Sequence, residues 1–211
     1  MMITSNLSTL LFLLTFGLCF LSITASIRVS LAGSDWLIKN GADLQAVGTV
    51  PGTIHTILFS AKLIDEPYWR FHDTDLRYLV NQSWIFTKSF SLQSQFLDST
   101  QFILHFDQID TVSNITLNNC NLGQTNSMFF AYEFNVLRSC LQTENILHIE
   151  FISPVIYAQQ QAIAYNISVG PTCPNTVQHG ECNVQFIRKE PCSFSWDWVT
   201  SLLLSYTLFY Y

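Results

Sequence analysis

The 211-residue chain is 49% hydrophobic, 14% aromatic and only 11% charged, with a formal net charge of -6. Nine Lys and Arg against fifteen Asp and Glu provide no basic stripe for a phosphate backbone, which argues against a nucleic-acid partner. A charged share well below the usual ~25% argues equally against disorder, and the length allows one domain, two at most.

In chain order, the uncharged run Leu10 to Ile23 comes first, followed by the small residues Thr24-Ala25-Ser26. Residues 1–26 read as a secretory signal peptide cleaved near Ser26. No Lys or Arg precedes Arg28, so the usual basic start is missing, and the run is too short to span a bilayer. Ile27–Leu31 then alternates as a strand. A helix is predicted over Thr53–Leu63, with Ile54, Ile57, Leu58 and Ala61 on one face, Pro51-Gly52 as the break before it and Thr53 as its cap. Strands are predicted at Trp84–Phe90, Phe102–Phe106, Val112–Leu117 (ending in the turn Asn118-Asn119), Asn145–Phe151 and Val184–Ile187, with a second helix over Val155–Tyr165. Turn signals recur every 8–12 residues or so, the spacing of an all-β sandwich or barrel. The last stretch, Val199 to Tyr211, is uncharged, too short to span a membrane, and does not alternate cleanly.

Of six cysteines, Cys19 would leave with the signal. Cys173 and Cys182 flank a segment with Pro174 and Gly180 that can close as a short loop. Cys120 and Cys140 are candidates for a second disulfide, and Cys192 is the odd thiol. Zinc is disfavoured, because no Cys-x-x-Cys or close Cys/His pairing is present. Asn81, Asn114 and Asn166 each open an N-x-[ST] sequon, the composition of a secretory glycoprotein. No Gly-rich phosphate loop calls for a cofactor.

No G-x-S-x-G elbow is present, and the histidines (His55, His72, His105, His148, His179) are dispersed. Arg70, in a row of aromatics, is expected to pair with Asp73 or Asp75. The informative segment runs from Arg188 to Trp198. A carboxylate between two indoles, Trp196-Asp197-Trp198, is a natural sugar-binding group: the indole face covers C–H surface and the carboxylate accepts from hydroxyls. A second reading makes the tryptophans core and Asp197 a loop cap, and the residues leave both open. In a straight strand Asp197 would point away from the two indoles, so joint contact with one sugar needs a turn in the backbone.

The strings VPGTIHTILFSAKLIDEPYWRFHD, DTVSNITLN, GQTNSMFFAYEFNV and CPNTVQHGECNVQFIRKEPCSFSWDW resemble the N-terminal domain of the animal lysosomal β-mannosidases, in the glycoside hydrolase family 2 clan. The resemblance covers residues 27–198. It implies a jelly-roll β-sandwich of galactose-binding type, with Trp196, Asp197 and Trp198 reaching the sugar subsite and Cys173 bonded to Cys182; Cys120 and Cys140 are not part of the family pattern. It also implies retaining hydrolysis of terminal β-D-mannose from glycoprotein-derived oligosaccharides by two Glu carboxyls ~5–5.5 Å apart. In the family both stand on a later (β/α)₈ barrel. None of Glu66, Glu133, Glu144, Glu150, Glu181 and Glu190 follows an Asn, as the family's acid/base does.

After Trp198 the family continues with Gly-Pro and a Gly-Ile-Trp strand that completes the sandwich; here the tail 199–211 stands instead, as in a truncated gene model, a retained intron or an alternative isoform. The expectation is an N-terminal fragment that supplies one wall of a β-mannoside site, binds the sugar weakly or not at all alone, lacks catalysis and lacks its last strand or strands. The alternative is a secreted, non-catalytic carbohydrate-binding module. Residence in the lysosome, rather than secretion, rests on the resemblance.

Overall fold

The computed structural model describes residues 1–9, 23–41, 43–166, 182–190 and 207–209. The chain opens with β1 (Met2–Thr9), β2 (Ile23–Ser30), β3 (Gly33–Asn40), β4 (Gln45–Val50) and the short β5 (Gly52–Thr53), followed by α1 (Ile54–Ser60) and α2 (His72–Asp75). Next come β6 (Trp84–Ser91), α3 (Ser94–Leu97), β7 (Gln101–Phe106), β8 (Gln108–Asp110), β9 (Val112–Leu117), β10 (Cys120–Asn126), β11 (Tyr132–Asn135) and β12 (Glu144–Phe151). α4 (Pro154–Tyr165) and β13 (Thr207–Phe209) complete the described elements.

A six-stranded sheet in the order β10-β9-β12-β6-β3-β4 faces a four-stranded sheet in the order β11-β7-β1-β2, and β5-β13-β8 forms a third, small sheet. The fold is therefore the β-sandwich expected from the turn spacing. Its interior follows from period-2 burial. In β12, Leu147, Ile149 and Phe151 are buried while Ile146, His148 and Glu150 are not, and in β6 the buried members are Trp84, Phe86 and Lys88. Opposed residues of an antiparallel pair share a face, so the register makes one continuous row. Ile38 opposes Phe86, Phe86 opposes Ile149 and Ile149 opposes Ile115, and all four are fully excluded from solvent. Phe86 and Phe151 meet edge to face at 5.1 Å. The two buried indoles are satisfied by backbone: Trp36 Nε1 donates to Leu31 O and Trp84 Nε1 to Leu79 O, each at 2.9 Å.

The helices follow their local signals. Thr53 caps α1 through a reciprocal bond with Thr56, and Ile54, Ile57 and Leu58 are buried. α1 is shorter than expected: Ala61 is its C-cap and is exposed, so the apolar face has three members rather than four. Ser153 caps α4, whose first residue is Pro154, the position where a missing N–H costs nothing.

Val184–Ile187 is not a strand. Val184–Phe186 is a 3₁₀ turn closed by Ile187 N–H to Val184 O at 3.4 Å; a four-residue apolar run carries too little periodicity to separate the two. Arg70, expected in an ion pair, has its guanidinium 5.5 Å from the Trp69 ring centroid.

Both ends of the chain enter the sandwich. β1 lies between β2 and β7, with Ile3 opposite Leu104 and both buried. A cut near Ser26 would withdraw β1 and leave Ile27–Ser30 of β2. Thr207–Phe209, within the tail, pairs with β5 on one side and β8 on the other. Cys120 and Cys140 are bonded, with Cα atoms 5.9 Å apart, tying the start of β10 to the 3₁₀ turn Arg138–Cys140.

The shared face of β6 and β12 sets an expectation. Phe151→Ala should cost about 3–5 kcal/mol in urea unfolding, whereas Ile146→Ala, one face over and 45% exposed, should stay within about 0.5 kcal/mol. Equal losses would contradict this register.

Candidate functional site

Trp196, Asp197, Trp198 and Cys173 lie outside the described residues, but both chain segments that flank the Trp-Asp-Trp motif are described. On the upstream side, four successive residues are held. Ile187 is buried with Val80, Val112, Val155 and Ala158. Arg188 forms a parallel bridge with Ser127, accepts from Met128 N–H at 3.0 Å, and sets its guanidinium 5.9 Å from the Phe129 ring centroid. Lys189 is buried and bonded to Asp110, and Glu190 N–H points at Met128 Sδ at 3.0 Å.

The Lys189–Asp110 ion pair is nearly dry, with side chains 1% and 3% exposed. Both carboxylate oxygens are used: Oδ2 accepts from Lys189 Nζ and Oδ1 from the Thr111 hydroxyl. The network continues inward, as Thr125 Oγ1 bonds to Thr111 O and to Ser113 Oγ, each at 2.8 Å. Burial pushes the Asp110 carboxyl above its ordinary range while the Lys189 ammonium pulls against it. A pair this dry persists only where its remaining hydrogen-bonding capacity is served, and here each Asp110 oxygen has a donor. On the downstream side, Thr207 of β13 stands in register with Asp110 of β8.

The sequence pattern offered no role for Asp110 or Lys189. The available signal was weak: Asp110 stands between Ile109 and Thr111, and Lys189 between two other charges, Arg188 and Glu190, where solvent exposure is the ordinary expectation.

The other candidate residues are dispersed. Cys182 is disulfide-bonded. Asn81, closing the 3₁₀ turn Leu76–Asn81, and Asn166, the left-handed cap of α4, are exposed. Asn114 is half-buried in β9, donating to Glu150 Oε2 at 3.3 Å and accepting from Gln124 Nε2 at 2.8 Å.

The described histidines take structural positions. His72 Nδ1 lies 2.7 Å from Glu66 O, His148 Nδ1 lies 3.0 Å from Thr87 Oγ1, and His105 sits between Asp107 and Glu133. His55 is buried in α1; its Nδ1 has no partner, and desolvation lowers its pKa to about 4.

A polar depression of about 450 Å³ is lined by Asn118, Asn119, Gln142, Glu144 and His148 among others. It lies past the far end of β9 from Asp110, roughly 20 Å away at ~3.3 Å per residue. Its amides bond chiefly to one another and to backbone: Asn118 to Asn145 and Cys140 O, and Asn145 to Gln142. Among the described residues, no group of three or more His, Cys, Asp and Glu is placed to hold a metal ion, and no helix is long and apolar enough to cross a membrane.

An antiparallel two-sheet sandwich has the build of a galactose-binding-like domain, and the comparisons with known proteins agree. Residues 35–205 match the family described as "Glycosyl hydrolase 2 galactose-binding domain-like", and the chain belongs to that family. It is 41% identical over 177 residues to the β-mannosidase of Capra hircus, a span that covers 83% of this chain and 20% of that protein. It is 30% identical over 174 residues to a probable β-mannosidase of Caenorhabditis elegans, covering 81% and 19%. The crystal structure of a β-D-mannosidase from Dictyoglomus thermophilum superposes with a TM-score of 0.76 at 30% identity, covering 85% of this chain and 21% of that one. The chain thus spans about one-fifth of the length of these relatives.

His55 makes the stability of this end dependent on pH. Unfolded, its pKa returns to 6.5, so below that value the unfolded chain takes up a proton that the folded chain refuses. Its effect is absent above pH 6.5 and grows as pH falls towards about 4, reaching on the order of 3 kcal/mol of destabilisation. The stability gap between wild type and His55→Gln should therefore narrow by about that amount between pH ~7.5 and ~4 in urea titrations. A pH-independent gap would contradict the buried, neutral imidazole.

Proposed function

We propose that this chain is the N-terminal sandwich of an exo-acting lysosomal β-mannosidase, supplying one wall of the site for a terminal β-D-mannosyl residue through Trp196, Asp197 and Trp198. The observation that carries the reading is its 41% identity with a β-mannosidase over 83% of the chain, a match confined to one-fifth of the relative. On this reading residues 1–26 are a secretory signal, Asn81, Asn114 and Asn166 carry glycans, and Cys173 pairs with Cys182.

In the proposed wall, an indole face stacks on the sugar C–H surface and Asp197 accepts from two hydroxyls. Hydrolysis with retention needs two carboxyls ~5–5.5 Å apart. The cross-strand neighbours of the described strand glutamates are not carboxylates: Glu144 faces Ser91, Glu150 faces Ile85 and Asn114, and Glu133 faces His105. Glu144 and Glu150 stand on one strand, roughly 20 Å apart at ~3.3 Å per residue. Among the described strands no glutamates oppose one another for this step, and the part proposed for this sandwich is sugar binding.

The purified chain should release no product from an aryl β-mannoside above the buffer rate; turnover would overturn this reading. When residues 27–198 replace the matching region of the Capra hircus enzyme, activity should be retained. Asp197→Ala in that chimera should then lower kcat/KM by roughly 10- to 100-fold, the loss expected for a charged hydrogen bond to substrate.

A further inference from the structure

The outward face of the large sheet is a polar track with a sequon at one end. Its residues fall into rows across β9, β12 and β6. Asn114 opposes Glu150, which opposes Ile85; in the next row Thr116 opposes His148, which opposes Thr87; in the third, Ile146 opposes Ser89. Asn118 joins the third row, since its N–H donates to Ile146 O and its Oδ1 accepts from Ile146 N–H, each at 2.8 Å. The polar depression takes in the third row and continues past it to Asn119, Gln142 and Glu144, with His148 on its near side. Four residues separate Asn114 from Asn118, about 13 Å along the strand.

We propose that this depression is the seat of the N-glycan on Asn114, and that the oligosaccharide lies along β9 and β12 instead of standing off into solvent. The proposal rests on the reading of Asn114 as a glycosylation site and adds to it where the sugar goes.

At the root, Asn114 opens the sequon Asn114-Ile115-Thr116. Its side chain is restrained from both neighbouring strands, accepting from Gln124 Nε2 of β10 at 2.8 Å and donating to Glu150 Oε2 of β12 at 3.3 Å. An N-linkage replaces one of the two amide hydrogens. The oxygen then keeps Gln124, and the second N–H remains for Glu150.

The receiving end is built and rigid. The Cys120–Cys140 disulfide ties the turn Asn118-Asn119, which it directly follows, to the chain entering Gln142. Asn118 Nδ2 donates to Cys140 O at 2.7 Å and to Asn145 Oδ1 at 3.0 Å. Asn145, 1% exposed, takes up the N–H and C=O of Gln142 at 2.9 and 2.7 Å. These bonds occupy the floor and leave the rim open. Among the described residues, nothing bonds the side-chain amides of Asn119 and Gln142 or the Ser89 hydroxyl; Glu144 commits one oxygen to Ser91 and His148 one ring nitrogen to Thr87. Amides, a carboxylate oxygen and an imidazole nitrogen are the partners that sugar hydroxyls and acetamido groups need. Ile146, 45% exposed, adds an apolar flank for the C–H faces. The volume of about 450 Å³ lies within the range of small-ligand sites. Such contacts are individually weak, but a glycan rooted on the same strand is present at an effective concentration on the order of mM.

The test uses the full chain secreted with high-mannose glycans. Glycopeptide mass spectrometry gives the occupancy of Asn81, Asn114 and Asn166, and removal of each glycan by endoglycosidase H is timed on the folded protein. Asn81 and Asn166 are exposed and serve as references. Gln142→Ala/Glu144→Ala removes two exposed rim groups; Glu144 stands roughly 20 Å along β12 from the residue opposite Asn114, so the variant leaves the root untouched. It should unfold in urea as wild type does.

Asn114 should be occupied and its glycan released several-fold more slowly than the two references. The double variant should speed release at Asn114 roughly 3- to 10-fold, the effect of one or two lost hydrogen bonds, with the references unchanged. An unoccupied Asn114 would overturn the glycosylation reading and the seat together. An occupied Asn114 that is released as fast as the references would overturn the seat alone. So would slow release that the double variant does not relieve, because local burial of Asn114 would then account for it.

Discussion

Across the large sheet, Ile38, Phe86, Ile149 and Ile115 lie side by side on four neighbouring strands and see no solvent. This row fixes the register of β3, β6, β12 and β9 together. A slip of one residue in any of them would turn its buried members to water and bring Thr87, His148 or Asn114 into the core. Each lost Ile or Phe burial is worth roughly 1.5–3 kcal/mol, against a total domain stability of about 5–15 kcal/mol. One slipped strand would therefore consume most of the margin. The opposing sheet repeats the logic with Phe102, Leu104 and Phe106, which are buried while the outward His105 meets Asp107 and Glu133.

That constraint explains which elements were legible. β12 announces itself, because apolar and polar residues alternate from Leu147 to Phe151, although Asn145 is buried and Ile146 exposed at its start. β9 reads as a strand from its β-branched residues, with Ile115 and Leu117 in the main core and Val112 in the satellite one, and Thr53 and the Pro51-Gly52 break mark the start of α1. β10 was not legible: Cys120–Asn126 has only Cys120 and Leu122 facing the core, in a mostly polar run with a register shift near Gly123. It is a strand because it lies at the edge of the large sheet, beside β9, where pairing rather than burial holds it. β11 reads YEFN, too short for a pattern; it is drawn in by register with β7 and by the stacking of Tyr132 on Phe134. The Val184–Phe186 turn failed in the opposite direction, since apolar residues that suggested a strand serve a small satellite core around Ile187.

The site was legible as chemistry and not as geometry. Indole, carboxylate and indole in succession fit a sugar contact by composition, and fit equally a pair of core indoles beside a loop cap. Upstream of that succession, Lys189 pairs with Asp110, 79 residues away, and no local pattern encodes a partner at that distance. Both residues lie within strings that carry the resemblance, Asp110 opening DTVSNITLN and Lys189 in the run Arg188-Lys189-Glu190, but neither string names the other as its partner. Only the fold shows that the aspartate ending β8 and the lysine after the 3₁₀ turn share one dry pocket.

The same separation of tasks explains how a family can place its chemistry elsewhere and keep this sandwich. In a sheet, carboxylates approach closely only when they oppose one another across strands, at Cβ distances of about 4.5–5.5 Å, and two bare carboxylates there repel unless one is protonated. Glu133 on this sandwich avoids that cost by opposing a histidine, and Glu144 and Glu150 by opposing neutral residues. Such a surface suits a rigid platform and not an acid–nucleophile pair. The one buried carboxylate in the network, Asp110, is matched instead by the Lys189 ammonium, with side chains 3% and 1% exposed, and a charge is kept inside such a core only when it is paired and hydrogen-bonded.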